Sequence, residues 1–251
     1  MLKTIDSVIQ QKGYDLLEFI IVDGLSSDGS HEIISCYESK ISKVIIEKDT
    51  GIYNAMNKGL IHSTGEYLLF LNSADVLYDN NTISRSLPLL QEADLIIGLT
   101  EYKNNDTGEC ILTELPETGC DLNYLIKASL PHQSTFIRRE LLSDGYDETI
   151  KIGGDWKFFL EVVCRKMCSI KILDQVITKF DMNGISTNPN NYKEIDEEKA
   201  DILWQLFRYD YNEWRRIENR VKTADYYEQL WIMKCYFAFN RILRSQRKRY
   251  T

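Results

Sequence analysis

The stretch that decides the fold is EYLLFLNSAD, residues 66–75. Its apolar part is typical of a buried strand, and the chain then becomes polar at Asn72 and Ser73 and acidic at Asp75. Two interpretations remain open from these residues alone. Asn, Ser and Asp are common in ordinary turns, because their side chains bond to nearby backbone. Open α/β sheets, however, bind small molecules at the carboxyl ends of their strands.

The order of the elements around this stretch favours an α/β sheet. The predicted strands are 16–22, 43–47, 66–71, 94–100, one within ECILTEL (109–115) and 169–180. The predicted helices include one ending at about 39, an amphipathic one over 52–60 and one over 155–167. Strands that alternate with short helices predict a mostly parallel sheet. From about Tyr192 the pattern is helical almost to the end, so we expect two domains, 1–187 and a helical extension over 192–251.

Composition limits the function classes. A chain of 251 residues is long enough for one large domain with an appendage. A net charge of −8 argues against a nucleic-acid partner. No apolar run reaches the length of a membrane span, and the start MLKTIDSVIQQKGYD lacks the apolar core of a signal peptide. Six scattered cysteines suit a reducing compartment, so we expect a cytoplasmic protein.

The end of the chain differs in charge from the rest. Residues 241–251 carry five Arg and Lys residues and no acid. A basic amphipathic helix can lie on an anionic membrane surface. It can equally pack on the preceding domain with its polar face in water, and the sequence leaves both alternatives open.

Acidic residues recur where strands or loops end. They are Asp23 with Asp28, Asp49, the step ending at Asp75, and Asp155. Carboxylates gathered at one sheet edge repel each other unless a cation or hydrogen-bond donors compensate. Mg²⁺ with a nucleotide phosphate would do so. Singly, each acid also fits a turn, a loop or a helix cap, the last including Asp155 before Trp156.

Four segments, in this order, resemble family-2 glycosyltransferases. They are IIVDGLSSDGS (20–30), EKDTGIYNAMNKGLIHSTGEYLLFLNSAD (47–75), PHQSTFIRRELL (131–142) and GYDETIKIGGDWKFFLEV (145–162). The resemblance is strongest to the branch found in bacterial capsule, O-antigen and exopolysaccharide clusters. It implies a GT-A fold, with a Rossmann-like, mostly parallel sheet that binds a nucleotide. It also implies inverting, Mg²⁺- or Mn²⁺-dependent transfer of a sugar from a nucleoside-diphosphate donor, UDP-linked, to a saccharide or lipid-linked acceptor.

The resemblance also implies roles for individual residues. Asp155 matches the catalytic base, which takes a proton from the acceptor hydroxyl, and Asp75 matches the metal-binding acid. The residues that match substrate- or nucleotide-binding positions are Asp23, Asp49, Tyr53, Asn57, Lys58, Asn72, His132 and Gln133.

Two departures from the family pattern carry expectations of their own. Asn72 and Ala74 stand where many relatives have acids, so we expect weaker metal binding at Asp75. Relatives begin with a strand that precedes the segment matching residues 2–11, so we expect that the first family strand is missing. Either the true start lies upstream or the protein has lost part of its donor site, and the sequence leaves both alternatives open. An alternative function follows from these departures: a non-catalytic sugar-nucleotide-binding or scaffold protein of a polysaccharide cluster.

Overall fold

The computed structural model describes residues 1–103, 110–116, 120–181, 188–212, 215, 216 and 219. The chain divides into two compact units, Met1–Glu198 and Lys199–Thr251. The fold below is that of the first unit, and the domain boundary predicted between 187 and 192 stays a prediction. Among the described residues, no helix combines the length and the apolar character that a membrane crossing requires.

The first unit alternates helices with strands, as the sequence predicts. The helices are α1 (Leu2–Ile9), α2 (Ser30–Cys36), α3 (Ile52–His62), α4 (Thr82–Ser86), α5 (Leu122–Lys127), α6 (Gly154–Phe159) and the start of α7 (Tyr192–Phe207). The strands are β1 (Ile20–Asp23), β2 (Lys43–Ile46), β3 (Tyr67–Leu68), β4 (Val76–Leu77), β5 (Leu95–Lys103), β6 (Cys110–Leu112), β7 (Thr135–Arg138) and β8 (Ile170–Asp181). Helix α6 continues directly into a π-helical turn, Leu160–Arg165.

The strands form two sheets, which confirms the α/β class but not the strand directions. Strands β1 and β2 make a parallel pair, and the larger sheet has the order β3-β7-β5-β8-β4 with β6 beside β5. Among pairs of described strands, only β1–β2 and β5–β8 are parallel, so the prediction of a mostly parallel sheet is wrong for them. Strand β7 lies between β3 and β5 and runs antiparallel to both. Strands β4 and β6 run antiparallel to β8 and β5. Hydrophobic periodicity finds strands but does not choose their partners.

The predicted strand over 66–71 is shorter than expected. Only Tyr67 and Leu68 pair, on one edge, with β7. The other edge faces β1 across an apolar cavity of about 580 Å³, and the walls include Phe19, Ile21 and Leu69. Among the described strands, none lies in this cavity.

The two walls of the cavity are joined through Glu18. The Glu18 carboxylate accepts hydrogen bonds from the backbone N–H groups of Thr64 (2.6 Å) and Gly65 (3.2 Å). Val22 and Asn72 also line the cavity. The segments leading into β1 and β3 are therefore in contact at Glu18 and Gly65, and both strands line the cavity. The absence of the first family strand stays a prediction.

The core includes residues of the larger sheet and of α6. Strand β5 is fully buried over Leu95–Ile97, and Phe159 of α6 is fully buried with it. Trp156 is almost fully buried, and its indole N–H donates to the carbonyl of Leu125, 2.6 Å away. These contacts fix α6, the helix that carries Asp155.

Candidate active site

Asp155 is the centre of the first cluster. Helix α6 begins at Gly154 and its N-cap residue is Gly153, so Asp155 lies inside the first turn and the N-cap interpretation is wrong. One carboxylate oxygen lies 2.8 Å from Nδ1 of His132, and the other lies 3.0 Å from the hydroxyl of Tyr53. The fold thus joins three predicted site residues that are distant in sequence.

His132 connects Asp155 to the acidic step at the end of the 66–75 stretch. Its Nε2 lies 3.3 Å from Nδ2 of Asn72. A neutral imidazole with its proton on Nδ1 would donate to Asp155 and accept from the Asn72 amide, which satisfies both ring nitrogens. His132 and Asn72, both predicted from sequence, therefore belong to one hydrogen-bonded chain that ends at Asp155.

The ionisation of the pair follows from its contacts. Burial acts to lower the pKa of His132, but the hydrogen bond and charge of Asp155, with the charge of Asp75, outweigh it and raise that pKa. Burial acts to raise the pKa of Asp155, but His132 and the Tyr53 hydroxyl outweigh it and lower that pKa. Asp155 is therefore ionised at neutral pH, as a proton acceptor must be.

Tyr53 and Gly154 make a close contact beside Asp155. The Tyr53 ring is buried, and burial, with the charge of Asp155, raises the pKa of its hydroxyl far above the ordinary value. The hydroxyl also hydrogen-bonds to the carbonyl of Ile152. A Cβ added at Gly154 would lie 2.7 Å from the ring, so only glycine fits this position without a shift.

Asp75 is held in a turn that is fixed by α1. Its carboxylate is 1% exposed and accepts a 3.3 Å hydrogen bond from the backbone N–H of Asn72. The carbonyl of Ser73 accepts hydrogen bonds from the Thr4 hydroxyl and from the amino group of Met1, both at 2.7 Å. The step is therefore a turn, and its buried charge also acts on His132.

The fit of this step to a metal ion depends on Asp75. Within the described part of the chain, no group of three or more His, Cys, Asp and Glu residues could hold a metal. Mg²⁺ needs only one or two carboxylates when water and phosphate oxygens complete its shell. Asp75 fits an ion that arrives with a diphosphate, and does not fit a permanent, protein-only site.

Asp23 is the centre of the second cluster. This residue ends β1 and is 3% exposed, and its carboxylate accepts from the backbone N–H of Ser26 (2.8 Å) and contacts Nε2 of His31 (2.7 Å). Burial acts to raise the pKa of Asp23, but these hydrogen bonds outweigh it and lower that pKa. Asp23 is an ionised acceptor at the carboxyl end of a strand.

Asp49 reaches the same loop. Its carboxylate accepts from the backbone N–H of Gly51 (3.2 Å) and packs directly on Gly24, where an added Cβ would lie 2.1 Å from one of its oxygens. Asp23, at the end of β1, and the loop that carries Asp49 therefore lie side by side. Val22, which precedes Asp23, and Asn72, which contacts His132, line the same cavity.

The remaining predicted residues make structural contacts. Asn57 hydrogen-bonds both the N–H and the carbonyl of Tyr146, at 2.7 and 2.9 Å. Lys58 binds the carbonyl of Lys48 at 2.7 Å and forms an ion pair with Glu47 at 3.1 Å. Gln133, the residue after His132, is buried. Their nucleotide or substrate roles stay predictions.

Two neighbours of these clusters were not predicted from the sequence. His31 is the second residue of α2 and turns back to Asp23, a contact that its place just after the Asp-Gly turn could have indicated. Tyr146 packs its ring on Tyr53, with ring centres 5.7 Å apart, and its buried hydroxyl has no hydrogen-bond partner among the described residues. No sequence pattern signals the second contact.

The family of the chain follows from a match over most of these elements. Residues 1–162 match the model of Glycosyl transferase family 2. The chain belongs to this family. It is 28% identical over 202 residues to the PGL/p-HBAD biosynthesis glycosyltransferase Rv2957 of Mycobacterium tuberculosis, covering 76% of this chain and 75% of that protein. The sequence-based recognition of a family-2 glycosyltransferase is therefore confirmed, and the protein is a glycosyltransferase.

Solved structures show the same fold at low identity. TarS of S. aureus, in complex with UDP-GlcNAc, matches with a TM-score of 0.61 at 18% identity over 80% of this chain and 62% of that chain. The mannosyltransferase PcManGT of Pyrobaculum calidifontis, in complex with GDP-Man and Mn²⁺, matches with a TM-score of 0.53 at 18% identity over 81% and 58%. The matched region thus spans about three-fifths of these chains. The likeness confirms the GT-A fold.

Proposed function

We propose that this glycosyltransferase transfers a sugar, with inversion, from a UDP-linked donor to a saccharide or lipid-linked acceptor of a bacterial surface polysaccharide. The observation that carries the proposal is the chain of contacts from Asp155 through His132 to Asn72, beside the buried carboxylate of Asp75. In this proposal, these contacts join the proton acceptor to the turn that would hold a metal-bound diphosphate.

Asp155 is the base in this proposal. The acceptor hydroxyl gives its proton to the Asp155 carboxylate while its oxygen attacks the anomeric carbon of the donor. The bond from that carbon to the phosphate oxygen breaks, and the electron pair leaves with the nucleoside diphosphate. His132 and Tyr53 hold the two carboxylate oxygens in place. Attack from the face opposite the leaving group inverts the anomeric centre.

Asp75 would hold Mg²⁺ or Mn²⁺ together with the donor. Such an ion offsets the charge that develops on a leaving diphosphate. The mannosyltransferase PcManGT forms a complex with GDP-Man and Mn²⁺, and this supports the assignment. Asn72 and Ala74 leave a single carboxylate in the step, so the ion should bind weakly in the absence of the nucleotide.

Asp23 and Asp49 would bind the nucleoside end of the donor. Asp23 is an ionised hydrogen-bond acceptor, suited to ribose hydroxyls or to the N–H of a base. Asp49 adjoins it across Gly24. Asn57, Lys58 and Gln133 remain assigned to the substrate side by family resemblance.

The basic end of the chain would bring the enzyme to its acceptor. Residues 241–251 lie outside the described residues, so their predicted contact with the inner membrane rests on charge and composition. A peripheral position would suit a lipid-linked acceptor.

The test is release or transfer of sugar from a panel of UDP- and GDP-sugars with Mn²⁺. Parent protein should turn over a UDP-sugar, and Asp155→Asn should lower the rate by about 10²–10⁴. Normal transfer by Asp155→Asn would refute its role as base. Binding of UDP by a parent protein that never releases sugar would favour the non-catalytic alternative.

A further inference from the structure

One carboxylate outside the active site binds the segment that leads into α6. Glu198, on α7 and within the first compact unit, accepts hydrogen bonds from three successive backbone N–H groups, those of Lys151 (2.8 Å), Ile152 (3.1 Å) and Gly153 (2.8 Å). Charge-assisted bonds of this kind are stronger than neutral ones. Glu198 therefore fixes the backbone just two residues before Asp155.

The same segment is held from the active-site side. The carbonyl of Ile152 accepts the hydrogen bond of the Tyr53 hydroxyl, which also lies 3.0 Å from Asp155. Gly153 is the N-cap of α6, and its carbonyl accepts from the N–H of Lys157 at 2.9 Å. Residues 151–153 thus lie between Glu198 and Tyr53. Their backbone N–H groups donate to Glu198, and the carbonyl of Ile152 accepts from Tyr53.

This segment needs external support because of its sequence. Gly153 and Gly154 are adjacent, and glycine loses more conformational freedom on ordering than any other residue. Gly154 cannot be replaced by a more rigid residue, because an added Cβ would meet the Tyr53 ring at 2.7 Å. The contact with Tyr53 therefore keeps a glycine, with its flexible backbone, at position 154. The Glu198 carboxylate restrains the backbone just before it.

We propose that Glu198 is a positioning residue of the active site: through the backbone of residues 151–153 it sets the place of Asp155 relative to Tyr53 and His132. The proposal rests on the proposed function for its catalytic meaning, but the geometry it describes is independent of any substrate. It gives α7 a role in the reaction that was not predicted from the sequence, and Glu198 lies outside the family match over residues 1–162. A displacement of a base by about 1 Å can cost about 10²-fold in rate.

Glu194 supplies a matched control. It lies one helical turn earlier on α7, and it binds the side chain of Lys151 at 2.8 Å rather than its backbone. A variant Glu194→Ala therefore removes a carboxylate from the same helix and the same neighbour without releasing the segment. Glu198→Ala removes all three backbone bonds, and Glu198→Gln keeps the size of the side chain but loses its charge.

The first experiment reads the geometry without substrate. The chain has three histidines, so the ring nitrogens of His132 can be assigned by NMR, with His31 and His62 as internal references. In parent protein above neutral pH, the shifts should show a proton fixed on Nδ1, the nitrogen 2.8 Å from Asp155. In Glu198→Ala and Glu198→Gln they should move toward the mixture of tautomers seen in free histidine, and in Glu194→Ala they should stay as in the parent.

The second experiment links the geometry to the rate. Glu198→Ala should lower kcat by about 10- to 100-fold with an unchanged Kd for UDP, and Glu198→Gln should lie between it and the parent. If the His132 shifts and kcat of both Glu198 variants equal those of the parent while Tm falls, Glu198 only anchors α7 and the proposal is wrong. If parent protein shows no transfer at all, the proposed function fails, and the NMR comparison still decides the positioning role.

Discussion

The two acidic clusters differ in how far along the chain their partners lie. Asp23 is held by residues three and eight positions away, Ser26 and His31. Asp155 is held by residues 23 and 102 positions away, His132 and Tyr53. The Asp23 cluster is thus built mainly by one local segment. The Asp155 cluster exists only when distant parts of the fold have come together.

The packing around the two clusters also differs. Asp155 follows a segment fixed on both sides, and α6 packs on a fully buried core. Asp23 ends β1, which pairs only with β2 among the described strands and borders the apolar cavity. We therefore expect the region around Asp23 to gain stability from added contacts, and the Asp155 cluster to lose activity from small displacements.

The largest expected effect is at the apolar cavity beside β1. A run of four or five Val and Ile residues, fused ahead of Met1 through a short turn, should enter the cavity, because Met1 lies in its wall. Each buried side chain contributes about 1.5–3 kcal/mol, so Tm should rise by roughly 5 °C or more. The control has proline at alternate positions, which cannot donate ladder hydrogen bonds. Equal Tm values for the two fusions would show that the cavity does not accept a strand.

Two glycine replacements should have opposite effects near the Asp155 cluster and near β1. Gly154→Ala forces a Cβ to within 2.7 Å of the Tyr53 ring, so it should destabilise the protein by about 1–3 kcal/mol and lower transfer. Gly59→Ala, within α3, meets Val22 at an ordinary 3.6 Å and should stabilise the helix by up to about 1 kcal/mol. Urea unfolding measures both. Similar stability changes in the two variants would contradict the difference in packing.

The smallest effect is the pH dependence of the His132–Asp155 pair. The pKa of His132 is raised, so its contribution to stability is fully present below the unfolded value of about 6.5 and is lost as pH rises through the raised pKa. The pKa of Asp155 is lowered, so its contribution is present above about 3.9 and is lost as pH falls through the lowered pKa.

The Tm difference between parent and His132→Gln should therefore be greatest between about pH 4 and 6.5 and should shrink above that range. Thermal unfolding over a pH series checks this. His62→Gln is the control, since the described partner of its ring is the amine of Lys43 rather than a carboxylate. A His132→Gln difference that does not change with pH would mean that the pair is not ionised in the folded protein.

The sequence predicted what short segments determine. The strand before Asp23, the amphipathic helix with Tyr53 and the strand β5 appear near their expected positions, because periodicity and turn residues act locally. The antiparallel insertion of β7, the cavity beside β3 and the Glu198 contact were not predictable, since each joins segments far apart in sequence. The residues of the Asp155 cluster were identified by family resemblance, and only the fold shows that His132 joins Asp155 to Asn72.

The most direct test of the division between donor and acceptor sides is calorimetric titration of UDP, with and without Mn²⁺, into three proteins. Parent and Asp155→Asn should bind UDP with the same affinity, because the proposed role of Asp155 is to act on the acceptor. Asp75→Asn should lose the gain in affinity that Mn²⁺ gives the parent, while its metal-independent binding stays intact. If Asp75→Asn bound UDP with Mn²⁺ as tightly as the parent, or if Asp155→Asn weakened binding as much as Asp75→Asn, the assignment of the two sides would be contradicted.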